Sequence, residues 1–303
     1  MISVVIPAYN EEGNIKLLHE KLTTVLGPLG PFEILFVDDG STDETLAQIK
    51  SLADSYPNVH YLSFSRNFGH QNALKAGLDH ATGDCVISMD ADMQHPAESI
   101  PEMIRLWKDG AEIVYTIRME SDSTGVFKRT SSSLFYKLIN SFSDIAIHEN
   151  AADFRLLDKK VIDVIRTLPE NDPFMRGLIS WIGFRQIAVP YLVQQRHSGT
   201  TKYSIRKMWN FAISGITSFS TKPLKISIYI GIAIALLSFI YAMYAIYISA
   251  VLHLAVAGWT STIVSVLFIG GIQLIMIGVI GEYLGKLFME NKRRPNYIIR
   301  DKK

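Results

Sequence analysis

The sequence predicts an α/β domain on a mostly parallel sheet, followed by an interfacial amphipathic helix and a two-helix transmembrane hairpin. Two observations predict this architecture. Over residues 1–118, short β-branched runs alternate with amphipathic stretches, which is typical of a parallel sheet with helices on both faces. From Ile226 to Gly281 the chain has no Asp, Glu, Lys or Arg. A membrane part therefore follows a soluble part.

Five apolar runs predict the strands, and four amphipathic stretches predict the helices between them. The predicted strands are Ile2–Ile6, Phe32–Val37, Val59–Phe64, Cys85–Met89 and Glu112–Tyr115. The predicted helices are Glu11–Leu26, Asp43–Ser55, Asn72–His80 and Ala97–Asp109. In such sheets, ligands bind beyond the carboxyl ends of the strands. Because no G-x-G-x-x-G follows the first strand, a dinucleotide-binding oxidoreductase is disfavoured.

The charge and cysteine content exclude other classes of protein. The 30 Lys and Arg nearly balance the 29 Asp and Glu, for a net charge of +1, so no overall field attracts nucleic acid. One cysteine, Cys85, excludes an intrachain disulfide framework and a cysteine-based zinc site. The first residues lack a basic region and a small-residue cleavage site, so we expect no secretory signal.

The uncharged block is long enough for two membrane spans. A span needs about 20 apolar residues, and residues 226–252 and 261–284 both qualify, with a turn around His253 to Thr260. The flanking charges are Lys222 and Lys225 before the first span, and Lys286, Lys292, Arg293 and Arg294 after the second. The positive-inside rule then predicts that both flanks lie in the cytoplasm. A buried helical hairpin is disfavoured, because a core helix rarely stays apolar all round.

The remaining boundaries follow from the segment upstream of the first span. Ser204–Thr221 mixes aromatic and aliphatic residues with Arg206 and Lys207, which predicts a helix lying in the membrane interface. A surface helix packed on the soluble domain is the alternative. The predicted parts are a cytoplasmic domain over 1–203, an interfacial helix and junction over 204–225, the hairpin over 226–287, and a basic cytoplasmic tail over 288–303.

Acidic segments follow three of the predicted strands. They are Pro7–Glu11 after the first strand, Asp38–Asp43 after the second and Asp90–Gln94 after the fourth. Each segment alone is compatible with an ordinary turn and a helix N-cap. Together they bring several carboxylates to one edge of the sheet, where their charges repel. A divalent cation relieves that repulsion, and hard oxygen ligands favour Mg²⁺ or Mn²⁺.

Four segments resemble motifs of family 2 glycosyltransferases, which have the GT-A fold: VVIPAYNEE, VDDGSTDET, NFGHQNALKA and MDADMQHPAE. With Asp153-Phe-Arg155, the spacing from Arg196 to Lys202-Tyr203 and the hairpin, the chain resembles polyprenyl-phosphate glycosyltransferases, including dolichol-phosphate mannose synthases. DFRLLD, ITSFSTKPL and GGIQLIMIGVIGEYLG are most similar to the bacterial undecaprenyl-phosphate (bactoprenol) glucosyltransferase branch. The resemblance covers essentially the whole chain.

This resemblance implies inverting transfer of one sugar from a nucleotide sugar to a polyprenyl phosphate, with Mg²⁺ or Mn²⁺. It implies that Asp92 and Gln94 ligate the metal. The implied nucleotide-sugar contacts are Pro7, Tyr9, Glu11, Val37, Asp39, Asp90, Ala91, Arg196 and Lys202. For Tyr9, core packing is the alternative. The three histidines near these motifs, at 70, 95 and 197, have no spacing that supports a metal site.

On the acceptor side the resemblance implies Arg118, Arg129 and Ser133 around the lipid phosphate, and Asp92, Asp153 and Arg118 as catalytic residues. The nucleophile is a phosphate monoester with a second pKa near 6, so it needs cations more than a strong base. Asp153 is either a weak base or a positioner of Arg155, and a structural ion pair is the rival. Arg129 could instead face solvent or lipid headgroups. Thr116 stands where family members often have glycine, two residues before Arg118.

The resemblance to the bacterial glucosyltransferase branch implies UDP-glucose as the donor, and UDP-GlcNAc, UDP-galactose and GDP-mannose are the alternatives. A processive polysaccharide synthase is disfavoured, because the Q-x-x-R-W signature is absent and two spans form no obvious channel. An inactive membrane scaffold is disfavoured by the intact acidic motifs. The predicted partners are the nucleotide sugar, the polyprenyl phosphate, the membrane and further copies of the chain, a tetramer by family resemblance. A flippase and a lumenal or periplasmic glycosyltransferase would act downstream.

Overall fold

The structure is a computed structural model that describes residues 1–119, 151–170, 173–192, 217, 220–251 and 258–303. Its strands are β1 (Ile2–Ala8), β2 (Phe32–Asp38), β3 (Val59–Phe64), β4 (Cys85–Ser88), β5 (Ile113–Met119), β6 (Ala151–Asp158), β7 (Gln186–Leu192) and β8 (Ile299–Lys302). Its helices are α1 (Ile15–Leu26), α2 (Thr45–Ser55), α3 (His70–His80), α4 (Ile100–Lys108), α5 (Lys159–Thr167), α6 (Met175–Ile182), α7 (Lys222–Val251) and α8 (Trp259–Asn291).

The strands form one mixed sheet in the order β7-β5-β6-β4-β1-β2-β3-β8. The pairs β1–β2, β1–β4, β2–β3 and β5–β7 are parallel, whereas β6 and β8 pair antiparallel with their neighbours. The five predicted strands and the mostly parallel α/β sheet are confirmed. They were predictable because strands buried on both faces are nearly continuous apolar runs, and all seven residues of β1 are buried.

Helices cover both faces of the sheet, as predicted, because successive side chains of a strand point to opposite faces. Val4 and Ile6 belong to the core beneath α1 and α4, while Val5 belongs to the core beneath α3, α5 and α6. Helix α3 packs very closely on β1. A Cβ on Gly77 would lie 2.1 Å from Val5 Cγ1. This close packing fixes the position of His70, the first residue of α3, relative to the carboxyl ends of the strands.

The C-terminal residues return to the sheet, and the structure differs from the predicted tail over 288–303 in two respects. Helix α8 continues to Asn291, and Ile299–Lys302 forms β8, which pairs antiparallel with β3. The Tyr297 ring stacks on Phe64 at 5.2 Å between centroids, and its hydroxyl donates to Asp79 at 3.1 Å. An edge strand with one polar face lacks the apolar run that identified the buried strands.

Helices α7 and α8 match the predicted hairpin. Lys222–Tyr241 and Phe268–Asn291 are long and apolar enough to span a membrane, and their large apolar side chains are mostly exposed. The hydroxyl of Tyr283 on α8 donates to the carbonyl of Ser220, just before α7, at 2.6 Å. The two ends of the hairpin are thereby joined. Most of the predicted interfacial helix, Ser204–Thr221, lies outside the described residues.

Candidate active site

The three acidic segments meet where the direction of the sheet connections reverses. Strand β1 is central, with β2 and β3 on one side of it and β4 on the other. Open α/β sheets bind ligands at this point, beyond the carboxyl ends of the strands. Pro7 lies beside Val37 and Ala8 beside Asp38 in the β1–β2 register. The segments that follow β1, β2 and β4 therefore share one cleft.

The loops after β1 and β2 are joined by hydrogen bonds that involve Asn10. The Asn10 amide donates to Ser41 Oγ at 3.0 Å, and Asn10 Oδ1 accepts from the Thr42 amide at 2.9 Å. Asn10 adopts φ 55°, a left-handed conformation that Asn tolerates better than most residues. The Glu11 amide donates to Thr45 Oγ1 at 2.8 Å. These bonds shape a rigid rim for the cleft.

The predicted base and ribose contacts lie at this rim, but not all of them present a side chain. Tyr9 is 37% exposed, whereas the Val37 side chain is fully buried in the core beneath α3. Pro7 is buried as well. Only the backbone of Pro7 and Val37 can therefore contact a ligand, while Tyr9 can offer its ring. Glu11 Oε2 accepts a hydrogen bond from Asn14 Nδ2 at 2.7 Å.

Asp39 anchors the loop that precedes α3. Its carboxylate accepts hydrogen bonds from the Phe68 amide at 2.6 Å and the Gly69 amide at 3.0 Å. Burial raises the pKa of Asp39 above its usual value, although the two amide donors oppose that shift. Gly40 follows with φ +70°, and a Cβ there would lie 2.5 Å from the Arg66 carbonyl carbon. The 66–69 loop is thus held against the end of β2.

The Asp90–Gln94 turn carries the predicted metal ligands. Asp92 is 9% exposed, and its Oδ1 accepts from the Gln94 amide at 3.1 Å. Between them, Met93 has φ 63°, a strained conformation for a residue with a long side chain. Strain of this kind, of order 1–3 kcal/mol, is concentrated at ligand sites. The turn therefore holds its oxygen atoms in a geometry that local preference alone does not favour.

This donor set fits a cation that shares its ligands with a substrate. Within the described residues no group of three or more His, Cys, Asp or Glu side chains is placed to hold a metal ion. Asp92 and Gln94 supply hard oxygen donors, but too few for a closed protein site. Mg²⁺ is commonly bound by one or two carboxylates together with substrate phosphates and water. Asp92 and Gln94 therefore suit a metal that arrives with a diphosphate.

Two histidines that the sequence did not assign to roles hold Asp90. The Asp90 amide donates to His95 Nδ1 at 3.1 Å, which leaves the proton of a neutral ring on Nε2. His95 is buried, stacks on Phe154 at 5.2 Å and meets Tyr191 edge-on at 6.0 Å. Burial lowers the pKa of His95, although Asp90 opposes that shift. His95 thus fixes the backbone of the Asp90–Gln94 turn.

His70 holds the Asp90 side chain. Its Nε2 lies 2.8 Å from Asp90 Oδ1, and the two side chains are 43% and 28% exposed. Burial alone lowers the pKa of His70, but the Asp90 carboxylate outweighs it and raises the pKa to about 9. Burial alone would raise the pKa of Asp90. The positive charge of His70 and the contribution of His95 outweigh burial and keep the pKa of Asp90 well below its usual range. Near neutral pH the cleft therefore contains a charged His70–Asp90 pair.

Asp153 pairs with an arginine that the sequence reasoning missed. Its carboxylate contacts Arg176 at 2.7 and 2.9 Å, whereas Arg155 Nε donates to the Ala152 carbonyl at 3.0 Å. Of the alternatives for Asp153, the positioning of Arg155 has no direct hydrogen bond behind it, because the carboxylate's partner comes from α6. Burial raises the pKa of Asp153, but the Arg176 charge and hydrogen bonds lower it to about 2. Nothing in the local pattern indicates this pairing.

Arg118 reaches the same cleft from β5. Its Nε donates to the Tyr191 hydroxyl at 3.1 Å, and Tyr191 in turn contacts the His95 ring. The arrangement thus combines a carboxylate turn for a cation with Arg118, His70 and Arg176 as cations around it, which suits the handling of phosphate anions. The other predicted contacts, Arg129, Ser133, Arg196 and Lys202, lie outside the described residues.

Comparison with known proteins identifies the family. Residues 3–166 match the model for glycosyl transferase family 2, and residues 222–287 match the GtrB C-terminal hairpin. A bactoprenol glucosyl transferase from Shigella phage SfV is 45% identical over 304 residues, which cover 100% of this chain and 99% of that one. A prophage bactoprenol glucosyl transferase homolog from Escherichia coli K12 is 46% identical over 301 residues, 99% and 98% of the two chains.

Among solved structures, a mannosyltransferase from Pyrobaculum calidifontis in complex with GDP-Man and Mn²⁺ is similar over 71% of this chain and 61% of its own. The sequence identity is 20% and the TM-score 0.48, and at this distance the likeness says nothing about ligands. The matches to the catalytic domain, to the hairpin and to full-length relatives agree with each other. The chain therefore belongs to glycosyltransferase family 2, with the bactoprenol glucosyl transferases among its full-length relatives.

Proposed function

We propose that the chain transfers one glucose from UDP-glucose to the phosphate of undecaprenyl phosphate, with inversion at the sugar. The observation that carries the proposal is the full-length identity of 45–46% to bactoprenol glucosyl transferases. The match to the hairpin family over 222–287 adds a membrane segment, where such a lipid acceptor resides. The product is a β-linked glucosyl lipid phosphate, which a later enzyme can use as a sugar donor.

The donor binds across the ends of β1, β2 and β4. The uracil and ribose occupy the rim formed by Tyr9, Glu11 and Asp39, with Pro7 and Val37 contributing backbone. Asp90, held by His70 at 2.8 Å, and the neighbouring Ala91 contact the nucleotide. Arg196 and Lys202 approach the diphosphate. Together these contacts position the sugar carbon that reacts.

Asp92 and Gln94 are the residues that would hold Mg²⁺ or Mn²⁺ with the donor diphosphate. Such an ion stabilises the negative charge that the leaving group gains. The chain's own contribution is to place oxygen donors on a strained turn whose backbone is fixed by His95 at 3.1 Å. Preorganised groups of this kind need no rearrangement as the charge develops.

The acceptor phosphate enters from the side of Arg118, Arg129 and Ser133. Its second pKa is near 6, so the attacking oxygen is largely ionised at pH 7 and needs alignment more than deprotonation. Arg118 is oriented for this by the Tyr191 hydroxyl at 3.1 Å. An arginine can bind two phosphate oxygens at once. Attack on the face opposite the leaving group inverts the sugar carbon.

The catalytic domain is proposed to lie on the cytoplasmic side, in the inner membrane of a bacterium. Basic residues flank both ends of the hairpin, which favours the cytoplasm for both. The pairing of β8 with β3 supports the placement of both ends of the hairpin on the same side of the membrane, because the chain before the hairpin and β8 after it belong to one sheet. A homo-oligomer, a downstream flippase and a periplasmic glycosyltransferase are the proposed partners.

The test is incubation of the purified full-length protein with radiolabelled UDP-glucose, UDP-GlcNAc, UDP-galactose or GDP-mannose, together with undecaprenyl phosphate and Mg²⁺ or Mn²⁺. We expect label in the lipid extract with UDP-glucose and a β-linkage by NMR. Label from another donor alone would exclude glucose. A labelled polymer would indicate a processive synthase, and no labelled product with any donor would indicate an inactive scaffold.

A further inference from the structure

Asp153 lies in the wall of the cleft, and Arg176 holds both oxygens of its carboxylate. Arg176 Nε lies 2.7 Å from Asp153 Oδ1, and Nη2 lies 2.9 Å from Oδ2. The Asp153 side chain is 9% exposed and the Arg176 side chain 21%. A two-point contact between planar groups fixes the orientation of a carboxylate as well as its charge.

This pair is connected to the donor side of the cleft. Arg176 is the second residue of α6, and the amide of the first, Met175, donates to Gln71 Oε1 at 3.1 Å. Gln71 is the neighbour of His70 on α3, which contacts Asp90. The first turns of α3 and α6 thus hold one carboxylate each, and Gln71 joins the two turns. Asp90 and Asp153 are therefore fixed relative to each other.

We propose that Arg176 is a positioning residue for the transfer, which keeps Asp153 as a fixed carboxylate that stabilises positive charge on the sugar and takes up no proton. The inference rests on the proposed function. It follows from the chemistry of the acceptor, since a phosphate that is already ionised has no proton to give to a base. A general base would also need a pKa near the working pH, which a two-point arginine contact opposes.

The electron balance of the step is complete without a proton transfer. The bond between the sugar carbon and the UDP oxygen breaks, and its electron pair leaves with UDP. A phosphate oxygen of the lipid supplies the pair for the new bond. Between the two events the sugar gains oxocarbenium-like positive charge, as in glycoside hydrolysis. A permanently ionised carboxylate close to the donor stabilises that charge.

The groups around Asp153 agree with a permanent negative charge. Arg176 from α6, His70 from α3 and Arg155 from β6 itself each favour the ionised form, in that order. His95, next to the β4 turn, is also close enough to interact with it electrostatically. Burial alone would instead raise the pKa of Asp153. Loss of Arg176 therefore removes the largest opposing contribution to burial and raises the pKa of Asp153.

The experiment measures single-turnover transfer from UDP-glucose to undecaprenyl phosphate by the full-length protein between about pH 5.5 and 8.5, a range that spans the acceptor's second pKa. At pH 7, Arg176→Gln should react about 10- to 100-fold more slowly than wild type, since a hydrogen bond to a charged group has been lost. Its rate relative to wild type should rise with pH, because loss of Arg176 raises the pKa of Asp153 and a larger share of the carboxylate is ionised as the pH increases. The acceptor's own ionisation cancels in this ratio.

Two further variants separate charge from structure. Arg176→Lys keeps the charge, so its rate relative to wild type should be higher than that of Arg176→Gln and independent of pH. Arg166→Gln is the matched control, because Arg166 is a partly buried arginine that donates to the Leu78 and Ala81 carbonyls at 3.0 and 2.6 Å, away from the cleft. It should lower the melting temperature without any pH-dependent change in relative rate.

Three results would overturn the proposal. They are a relative rate of Arg176→Gln that does not change with pH, an Arg176→Lys that behaves like Arg176→Gln, and a slower wild-type single turnover in D₂O, which indicates a proton in flight. If wild type makes no glucosyl lipid, the proposed function fails instead. Thermal unfolding at pH 8 still tests the pair in that case. Adding Asp153→Asn to Arg176→Gln should raise the melting temperature by removing a buried carboxylate that has lost its two hydrogen bonds to Arg176, and no rise would refute the pairing.

Discussion

Replacing Gly40 by alanine should disrupt the donor site through the backbone alone. Gly40 has φ +70°, and a Cβ would lie 2.5 Å from the Arg66 carbonyl carbon and 2.8 Å from the Asn67 nitrogen. The left-handed conformation costs about 1–2 kcal/mol for a residue with a Cβ. The contact with Arg66 and Asn67 involves backbone atoms, so no rotamer change relieves it. The 66–69 loop must move away from the end of β2.

That movement separates Asp39 from its two amide donors. Phe68 N and Gly69 N now lie 2.6 and 3.0 Å from the carboxylate, and a hydrogen bond to a charged group contributes about 1.5–3 kcal/mol. If Asp39 orients the nucleotide, loss of one such bond weakens UDP-glucose binding by about 10- to 100-fold, since 1.4 kcal/mol is a factor of ten. Calorimetric titration with UDP-glucose measures this directly.

Gly30→Ala is the matched control for this experiment. Gly30 also has a positive φ, +124°, but a Cβ there would have no atom within 4 Å. It precedes β2 and therefore lies at the amino ends of the strands, opposite to the cleft. We expect Gly30→Ala to lower the melting temperature and leave UDP-glucose affinity unchanged. Wild-type affinity in Gly40→Ala would refute the reasoning, because it would mean that the 66–69 loop does not shape the donor site.

Three other changes test separate parts of the molecule. Asp92→Asn should keep the melting temperature but lower turnover at least about 100-fold, or about 3 kcal/mol; near-normal turnover at low metal concentration would contradict the metal assignment. Arg118→Ala should raise the KM for lipid phosphate or slow the chemical step with donor affinity retained in calorimetry, and loss of donor binding would place Arg118 on the donor side. Deleting 297–303 should lower the melting temperature, because β3 loses its partner and Phe64 its stacked ring; an unchanged melting temperature would contradict a structural role for β8.

The central sheet was predictable because its information is local. The runs at Val59–Phe64 and Cys85–Met89 are mostly apolar, as is typical of a buried parallel strand, and the structure has strands at Val59–Phe64 and Cys85–Ser88. Helix ends were less exact. The stretch from Glu11 predicted a helix four residues before α1 begins at Ile15, because the loop residues between them bond to the β2 loop instead.

The pairings within the site were not predictable, since they join residues that are distant in the chain. Asp153 and Arg155 are two apart on a strand and share a face, which made them the natural pair. The structure instead brings Arg176 to Asp153 from a helix 23 residues later. Similarly, His70 and Asp90 are 20 residues apart. Periodicity indicates which face of a strand a residue occupies, but it does not indicate which helix will contact that residue in the folded chain.

Strand β8 has a consequence for how the protein is made. A ribosome adds about 5–20 residues per second, so β3 waits without its outer partner while the hairpin and residues 292–298 are synthesised. During that interval β3 presents an open edge, the kind of surface on which strands from other chains pair and aggregate. In the described part of the chain, the hairpin helices α7 and α8 lie between β7 and β8. Strand β8 therefore reaches the sheet only after the hairpin has been made. If the hairpin spans the membrane as proposed, both of its ends must lie on the side of the sheet before β8 can pair with β3.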